Sequence, residues 1–301
     1  MNTDFARLIT SDGLELCGLF FTPDFGVSEI TVIHVHGLAG NFYENRFVDI
    51  VAEAVIDQGL NFMAFNNRGH DYISDSTHIS HDGGEVGYLQ IGGAYERFED
   101  CLLDIDAFRQ FARSRGSLKH VLMGHSHGAL KIGHYFYRRE HPDLIGGIFL
   151  SPSDDFGISR EHIGDRFEEA LELAKILVND VNESQMMPPG YHSYPLSAGA
   201  YLDTFRDDSP LKLFNLSGTD RTDFPELESI KVPVLGIVGT VAESFVGEPK
   251  EFLEKMGSKL KNVKSFEGHA IDGAPHNYVL HEDELADLIG DWLTKTFRRN
   301  I

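Results

Sequence analysis

The chain has 301 residues, 42% of them hydrophobic and 24% charged, which suits one large α/β domain with an insertion or two ordinary domains. Its 26 Lys and Arg against 47 Asp and Glu give a net charge of −21, which opposes contact with nucleic-acid phosphates and anionic membrane surfaces. Two cysteines exclude a disulfide framework and a cysteine-rich metal site. We therefore expect a cytoplasmic protein with no nucleic-acid partner and no membrane partner.

Predicted strands and helices alternate along most of the chain. Residues 5–9 and 14–21 flank a Ser-Asp-Gly turn and predict an antiparallel hairpin at a sheet edge. Stripes of apolar residues at helical spacing occur in 47–55, 98–108 and 285–293. Mostly apolar runs predict buried strands at 31–36, 61–66, 120–125, 146–150, 232–239 and 263–270. The pattern predicts an α/β fold in which a mainly parallel sheet has helices on both faces.

Residues 156–229 interrupt this alternation. They contain one amphipathic helix and then a stretch rich in Pro, Gly, Ser and Tyr with no clear strand. We interpret them as a cap inserted between two parts of a core, 1–155 and 230–301, and placed to cover a ligand crevice. Its aromatic residues are candidates for lining a binding site, namely Phe156, Tyr191, Tyr194, Tyr201 and Phe205.

The sequence Gly124-His125-Ser126-His127-Gly128 follows a predicted strand and precedes residues that can form a helix. This G-x-S-x-G pattern is typical of a nucleophile elbow, a turn so tight that glycine is needed on both sides of the serine. The turn holds the serine hydroxyl clear of the backbone. Serine becomes an effective nucleophile only when a base takes its proton and fixed donors stabilise the oxyanion. Ser126 is therefore the candidate nucleophile.

The order of the motifs resembles that of the α/β-hydrolase superfamily. After the first buried strand, His36-Gly37-Leu38-Ala39-Gly40 is similar to the H-G-x-x-G loop of that superfamily. The resemblance implies that the backbone amides of Leu38 and His127 form an oxyanion hole, with His36 ordering the loop at the binding site. Segments 66–71, 92–100 and 195–203 are also similar to a little-characterised bacterial branch, distantly like fungal siderophore esterases.

The same resemblance implies a histidine base in the loop that follows the last strand. His276, in Gly-Ala-Pro-His-Asn-Tyr just before the final helix, is the best-placed candidate. His269 lies within a predicted strand and His281 opens the terminal helix. Both positions are less suited to reaching the elbow.

The acid departs from the superfamily pattern. Related proteins commonly have Gly-x-x-Asp after the preceding strand, whereas here Gly239-Thr240-Val241 leads to Ala242. Glu243 is the first candidate if the loop is shifted by one residue. Asp154 or Asp155, after the strand at 146–150, is the alternative, and a chain with no acid is the third.

Residues 96–100 include several acidic side chains. We expect Glu96, Glu99 and Asp100 to form a solvated helix face. The alternative is that they pair with Arg68 or Arg97 and brace the crevice.

Together these residues predict a serine hydrolase that cleaves an ester or related acyl bond of a small molecule through an acyl-enzyme on Ser126. We expect no cofactor and no metal, since the histidines lack Asp, Glu or Cys at metal-ligand spacing. The sequence is also compatible with a homodimer. Two other classes remain. One is a lyase or carbon–carbon bond hydrolase on the same scaffold, and the other is a catalytically silent ligand-binding member, favoured by the alanine at position 242.

Overall fold

The fold is built around one large β-sheet. This computed structural model describes residues 1–80, 85–140, 142–218 and 221–297. The strands of these residues are β1 (Asn2–Ile9), β2 (Glu15–Thr22), β3 (Ile30–Val35), β4 (Asn61–Phe65), β5 (Ser74–Ile79), β6 (Val86–Ile91), β7 (Lys119–His125), β8 (Leu144–Leu150), β9 (Val234–Val241) and β10 (Phe266–Pro275). Eight of them form a sheet in the order β1-β2-β4-β3-β7-β8-β9-β10. The first two strands form an antiparallel hairpin at its edge, β2 is antiparallel to β4, and the later neighbours are parallel.

Helices cover both faces of the sheet. Within the described residues they are α1 (Phe47–Asp57), α2 (Cys101–Ser114), α3 (His127–Arg138), α4 (Asp155–Ile163), α5 (Phe167–Asp180), α6 (Ala198–Phe205), α7 (Pro225–Glu228), α8 (Pro249–Lys259) and α9 (Glu282–Phe297). In β4, Met63 and Phe65 join an apolar cluster that includes α2, α3 and α8. Their neighbours Phe62 and Ala64 join a second cluster with α1 and α9. Because successive strand side chains point to opposite faces, this alternation confirms the predicted two-sided α/β fold.

The segment from α4 to α6 encloses an apolar cluster of its own. Phe156, Phe167, Leu171, Tyr201 and Phe205 are all buried in it. The prediction of one amphipathic helix here was incomplete, since α4 and α6 flank the predicted helix. They are only 9 and 8 residues long, too short for a clear helical period in the sequence. The boundaries of the cap, 156–229, stay a prediction.

Two further parts of the fold differ from expectation. β5 and β6 form a separate antiparallel pair that was not predicted, because β5 is polar and five of the six residues of β6 are exposed. The last strand begins at Phe266 rather than at residue 263 and continues to Pro275. Its polar residues and the break in register between Ile271 and Pro275 obscure the strand pattern.

Every helix in the described ranges is too short or too polar to cross a lipid bilayer.

Candidate active site

The turn between β7 and α3 holds Ser126 in a strained conformation. Its φ is 57° and its ψ is −125°, and its amide donates to Leu150 O at 2.9 Å. A Cβ on Gly124 would lie 2.3 Å from Gly128 O, and one on Gly128 would lie 2.1 Å from Val35 O. The two glycines are therefore needed because the neighbouring backbone is too close for any side chain. This is the geometry that the G-x-S-x-G pattern predicts.

Gly128→Ala is expected to lower the free energy of unfolding by about 4 kcal/mol or more, or to prevent folding. The new methyl group would overlap backbone carbonyls of β3 and its loop, which cannot rotate away as a side chain could. Chemical denaturation measures the loss. Gly87→Ala, in an exposed strand with no atom within 4 Å of the added Cβ, is the matched control and should change stability little. An unchanged denaturation midpoint for Gly128→Ala would contradict this account of the elbow.

The loop after β3 lies against the elbow. A Cβ on Gly37 would be 2.9 Å from Ser126 Cβ, so this loop is also confined to glycine at its closest point. Leu38 lines the cavity that contains Ser126. As the first residue of α3, His127 has an amide with no acceptor inside its helix, at the positive end of the helix dipole. Of the residues predicted to form the oxyanion hole, Leu38 thus lines the cavity and His127 directly follows the serine.

His36 is buried beneath this loop and does not line the cavity around Ser126. Its Nε2 accepts from the amide of Asn67 at 2.9 Å, which places the ring proton on Nδ1, where it donates to Gly37 O at 2.9 Å. Burial and the nearby Lys131 hold the pKa of His36 well below its usual value, so the ring stays neutral. The side chain orders the loop and is not exposed to a ligand.

His276 and Glu243 form a hydrogen-bonded pair. The Nδ1 of His276, directly after β10, lies 2.8 Å from Glu243 Oε2, in the loop after β9. Because an ionised carboxylate only accepts, the ring proton lies on Nδ1 and Nε2 keeps a free lone pair. Ala242, at the position where related proteins commonly have aspartate, has a φ of 52°. The turn at this residue brings the longer side chain of Glu243 to the imidazole.

The other carboxylate oxygen of Glu243 is held by two donors. Its Oε1 accepts from the amide of Gly239 at 2.5 Å and from the hydroxyl of Ser151 at 2.7 Å. Ser151 Oγ also lies 2.8 Å from the hydroxyl of Tyr278, which donates to Ile237 O at 2.9 Å. Ser151 directly after β8, Gly239 near the end of β9 and Tyr278 after β10 are all buried. The network fixes the carboxylate and hence the orientation of the imidazole.

The backbone of His276 is held by a second histidine. Nε2 of His125 donates to His276 O at 2.9 Å, and the two ring centroids are 5.0 Å apart. Burial, together with the neighbouring imidazole of His276, lowers the pKa of His125 well below its usual value. The neutral ring of His125, which directly precedes the serine, thereby ties the histidine loop to the elbow.

Ser126 and His276 line the same cavity, of about 580 Å³. Its walls are Gly37, Leu38, Ala39, Gly40, Asn41, Tyr43, Glu44, Asn45, Asp71, Tyr72, His125, Tyr194 and Asn277. Within the described residues, the hydroxyl of Ser126 makes no direct hydrogen bond to His276. Nucleophile–base pairs often form this hydrogen bond only in the substrate complex.

Of the aromatic residues predicted to line the site, only Tyr194 borders this cavity. Phe156, Tyr201 and Phe205 are buried in the apolar cluster of α4 to α6, and Tyr191 packs against the same cluster. These aromatic residues stabilise the segment and lie away from Ser126. Tyr43 and Tyr72, which do line the cavity, were missed because they lie in loops outside the predicted cap.

The alternative acids and bases have other partners. Asp154 caps α4 by accepting from the amide of Gly157 at 2.9 Å, and Asp155 Oδ2 lies 2.6 Å from Nδ1 of His127. His269 lies 3.0 Å from Glu267, and His281 lies 3.6 Å from Glu284. The carboxylate that contacts His276 in the described residues is thus Glu243. The catalytically silent ligand-binding alternative requires that no carboxylate lie within hydrogen-bonding distance of His276. The contact with Glu243 does not meet this condition.

The predicted solvated face at 96–100 was wrong for Glu96, whereas the side chains of Glu99 and Asp100 are 42% and 41% exposed. Glu96 is buried and lies 2.5 Å from the buried Lys131 of α3, and Asp100 lies 3.1 Å from Arg68. Glu99 lies 3.1 Å from Arg138. Lys131 also donates to Asn67, the residue that holds His36, at 3.1 Å. Glu96 therefore braces the framework behind the loop at 36–40 through Lys131, and Asp100 forms the alternative pair with Arg68. No group of three or more metal-ligating side chains occurs in the part of the chain that the structure describes.

The chain matches known proteins in family and in fold. The family model for serine aminopeptidase S33 matches residues 27–185, just over half of the chain and including the loop at 36–40 and the elbow. Est1E from Butyrivibrio proteoclasticus, solved with ferulic acid bound, is 19% identical over 97% of this chain and 100% of that one, with a TM-score of 0.66. The siderophore hydrolase EstB from Aspergillus fumigatus is 14% identical over 98% of each chain, with a TM-score of 0.66.

A monoacylglycerol lipase from Paleococcus ferrophilus is 20% identical over 98% of this chain and 100% of that one, with a TM-score of 0.59. No curated protein sequence matches the chain. At these identities the likeness to solved structures shows a shared fold.

Proposed function

The chain belongs to the serine aminopeptidase S33 family and is an α/β-fold serine hydrolase, and we propose that it cleaves a small-molecule carboxylic ester through an acyl-enzyme on Ser126. The observation that carries the proposal is the 2.8 Å contact between His276 Nδ1 and Glu243 Oε2 beside a cavity that also contains Ser126. A hydroxyl at a nucleophile elbow, an imidazole and a carboxylate that orients it are the three groups that acyl transfer to serine requires. The cavity volume is within the range of small-molecule sites.

Acylation begins when Ser126 Oγ attacks the ester carbonyl carbon and its proton passes to Nε2 of His276. The carbonyl oxygen becomes an oxyanion that accepts from the amides of Leu38 and His127. These donors are fixed before the reaction and need no reorganisation when the charge develops. Glu243 stabilises the imidazolium through Nδ1 and stays ionised. The imidazolium then gives its proton to the departing alcohol oxygen, which leaves the acyl group on Ser126.

Deacylation repeats these steps with water as the nucleophile. His276 takes a proton from a water molecule whose oxygen attacks the acyl carbonyl, and the same two amides hold the second oxyanion. The bond to Ser126 Oγ then breaks, and the proton returns from the imidazolium to that oxygen. The products are one alcohol and one carboxylic acid, and no cofactor takes part.

A fluorophosphonate probe is expected to add one covalent group to the protein, at Ser126, because the activated hydroxyl attacks phosphorus as it attacks an ester carbonyl. Intact-protein mass spectrometry and peptide mapping measure the adduct. Rapid mixing with p-nitrophenyl acetate should also release an initial burst of nitrophenol close to one equivalent per labelled site. Heat-unfolded protein is the control, and it should not be labelled.

Two results would contradict the proposal. One is steady hydrolysis by protein that carries no adduct at Ser126 after treatment with excess probe. The other is turnover of an ester in which acid quenching traps no covalent acyl-serine. That result would favour the lyase or carbon–carbon bond hydrolase class.

A further inference from the structure

The walls of the cavity around Ser126 are aromatic and negatively charged. Tyr43, Tyr72 and Tyr194 contribute phenol rings, and Glu44 and Asp71 contribute carboxylates. The lining in the described residues contains no Lys or Arg. A concave site lined by charge of one sign focuses the field on its ligand and favours a ligand of the opposite sign.

Asp71 is fixed at this wall by three neighbouring side chains. Its carboxylate accepts from Asn41 Nδ2 at 3.0 Å and from the Tyr43 hydroxyl at 3.3 Å, and it lies 2.9 Å from His70 Nδ1. Its backbone has a φ of 54°, uncommon for a residue with a side chain. The side chain is nonetheless 39% exposed, so the carboxylate is held in place and still open to the cavity. A fixed and accessible carboxylate of this kind is suited to binding a ligand of opposite charge.

The tyrosines supply ring faces beside these carboxylates. The centroids of Tyr72 and Tyr194 are 5.7 Å apart at an interplanar angle of 34°, and both residues are exposed to more than 40%. Partial burial and the neighbouring Asp71 raise the pKa of Tyr43, so its phenol stays neutral. Neutral aromatic faces attract ammonium groups within about 6 Å of their centroids. Several rings together with carboxylates form the usual surroundings of a protein-bound ammonium group.

We propose that this cavity selects esters that carry an ammonium group, with the cation held between the tyrosine rings and the carboxylates of Asp71 and Glu44. The proposal rests on the proposed function, and it names the substrate class of the same site. Anionic esters are disfavoured because the described residues of the wall include no Lys or Arg to pair with them. The preference weakens at high ionic strength, since the carboxylates are partly exposed to solvent.

The test compares pairs of esters of equal shape and different charge. Acetylcholine and its uncharged carbon isostere, dimethylbutyl acetate, place the charge in the alcohol part. The nitrophenyl ester of trimethylammoniobutanoate and that of its carbon isostere place it in the acyl part. We expect kcat/KM to favour the cationic member of one pair by about tenfold or more at low salt. A ratio near one in both pairs would overturn the proposal.

Variants distinguish the effect of the two cavity carboxylates from the effect of the net charge of the protein. Asp71→Asn and Glu44→Gln should each reduce the cationic-to-neutral ratio by about threefold or more, and the ratio is unaffected by any inactive fraction of the sample. Asp287→Asn removes an equal charge from an exposed position on α9, outside the cavity, and should keep the wild-type ratio. An equal loss in all three variants would assign the preference to net charge and overturn the proposal.

A second measurement needs no turnover. Choline should bind to Ser126→Ala protein in a calorimetric titration at least about tenfold more tightly than dimethylbutanol. Asp71→Asn in the same background should weaken choline binding. If every ester is inert while choline binds selectively, the proposed function fails and the ammonium site stands. If esters are hydrolysed and choline binds no better than the alcohol, the ammonium site fails alone.

Discussion

Ser126→Ala is expected to lower kcat for p-nitrophenyl esters by about 10⁶-fold and to abolish labelling by fluorophosphonate. The substitution removes the oxygen that we propose forms the acyl-enzyme, while the alanine keeps the Cβ, so the packing against Gly37 is unchanged. Thermal unfolding should therefore stay close to wild type. The residual rate should exceed that in water, because the amides of Leu38 and His127, the proposed oxyanion donors, remain.

Ser258→Ala is the matched control for this substitution. Its hydroxyl is exposed on α8 and donates to Lys255 O at 2.7 Å, so its loss should change kcat by less than tenfold. A second purification step tests for a contaminating esterase. Residual activity that separates from the variant protein belongs to the contaminant. Full hydrolysis by purified Ser126→Ala protein would refute the assignment of the nucleophile.

The elbow could be predicted from the sequence because its constraints are local. A glycine two residues before Ser126 and another two residues after it are both required by backbone atoms less than 3 Å away. Gly37 in the loop after β3 is constrained by a side chain instead, since an added Cβ there would lie 2.9 Å from Ser126 Cβ. Such steric requirements leave a residue pattern that is readable without knowledge of the fold. The position of His276 was readable from chain order.

The acid could only be narrowed to several candidates. Glu243 meets the imidazole because Ala242 takes a positive φ, and nothing in the side chain of alanine favours that conformation. The positive φ of Ser151 and of Tyr278 is equally unpredictable, although both residues belong to the network around Glu243. These backbone conformations are imposed by tertiary contacts, and they leave no mark in the sequence.

The lining of the cavity was predicted less well, for a different reason. Phe156 and Tyr201 lie on α4 and α6, which are too short for their inner and outer faces to be distinguished by periodicity. Their buried positions follow from packing among aromatic rings, with Phe156 and Phe205 centroids 6.4 Å apart. Residues in loops, such as Tyr43 and Tyr72, reach the cavity only through the way the chain folds over the carboxyl edge of the sheet.

Glu243→Gln is expected to lower kcat by about 10⁴-fold. Gly239 N–H donates to Oε1 of Glu243, so the oxygen of the new amide must face this fixed donor. The amide NH₂ then faces Nδ1 of His276, where the ring now has to accept instead of donating. The imidazole proton is thereby forced onto Nε2, which can no longer take the proton from Ser126. Steady-state kinetics measure the loss.

Asp155→Asn is the matched control, because it neutralises the other histidine–carboxylate pair beside the elbow. The carboxylate of Asp155 lies 2.6 Å from Nδ1 of His127, whose predicted role is carried by its backbone amide and not by its ring. We expect kcat to fall by less than tenfold in this variant. If the two variants lost activity equally, the orientation of His276 by Glu243 would not be what limits the reaction. A loss confined to Asp155→Asn would make Asp155 the acid and would require the imidazole of His276 to move to a different carboxylate during turnover.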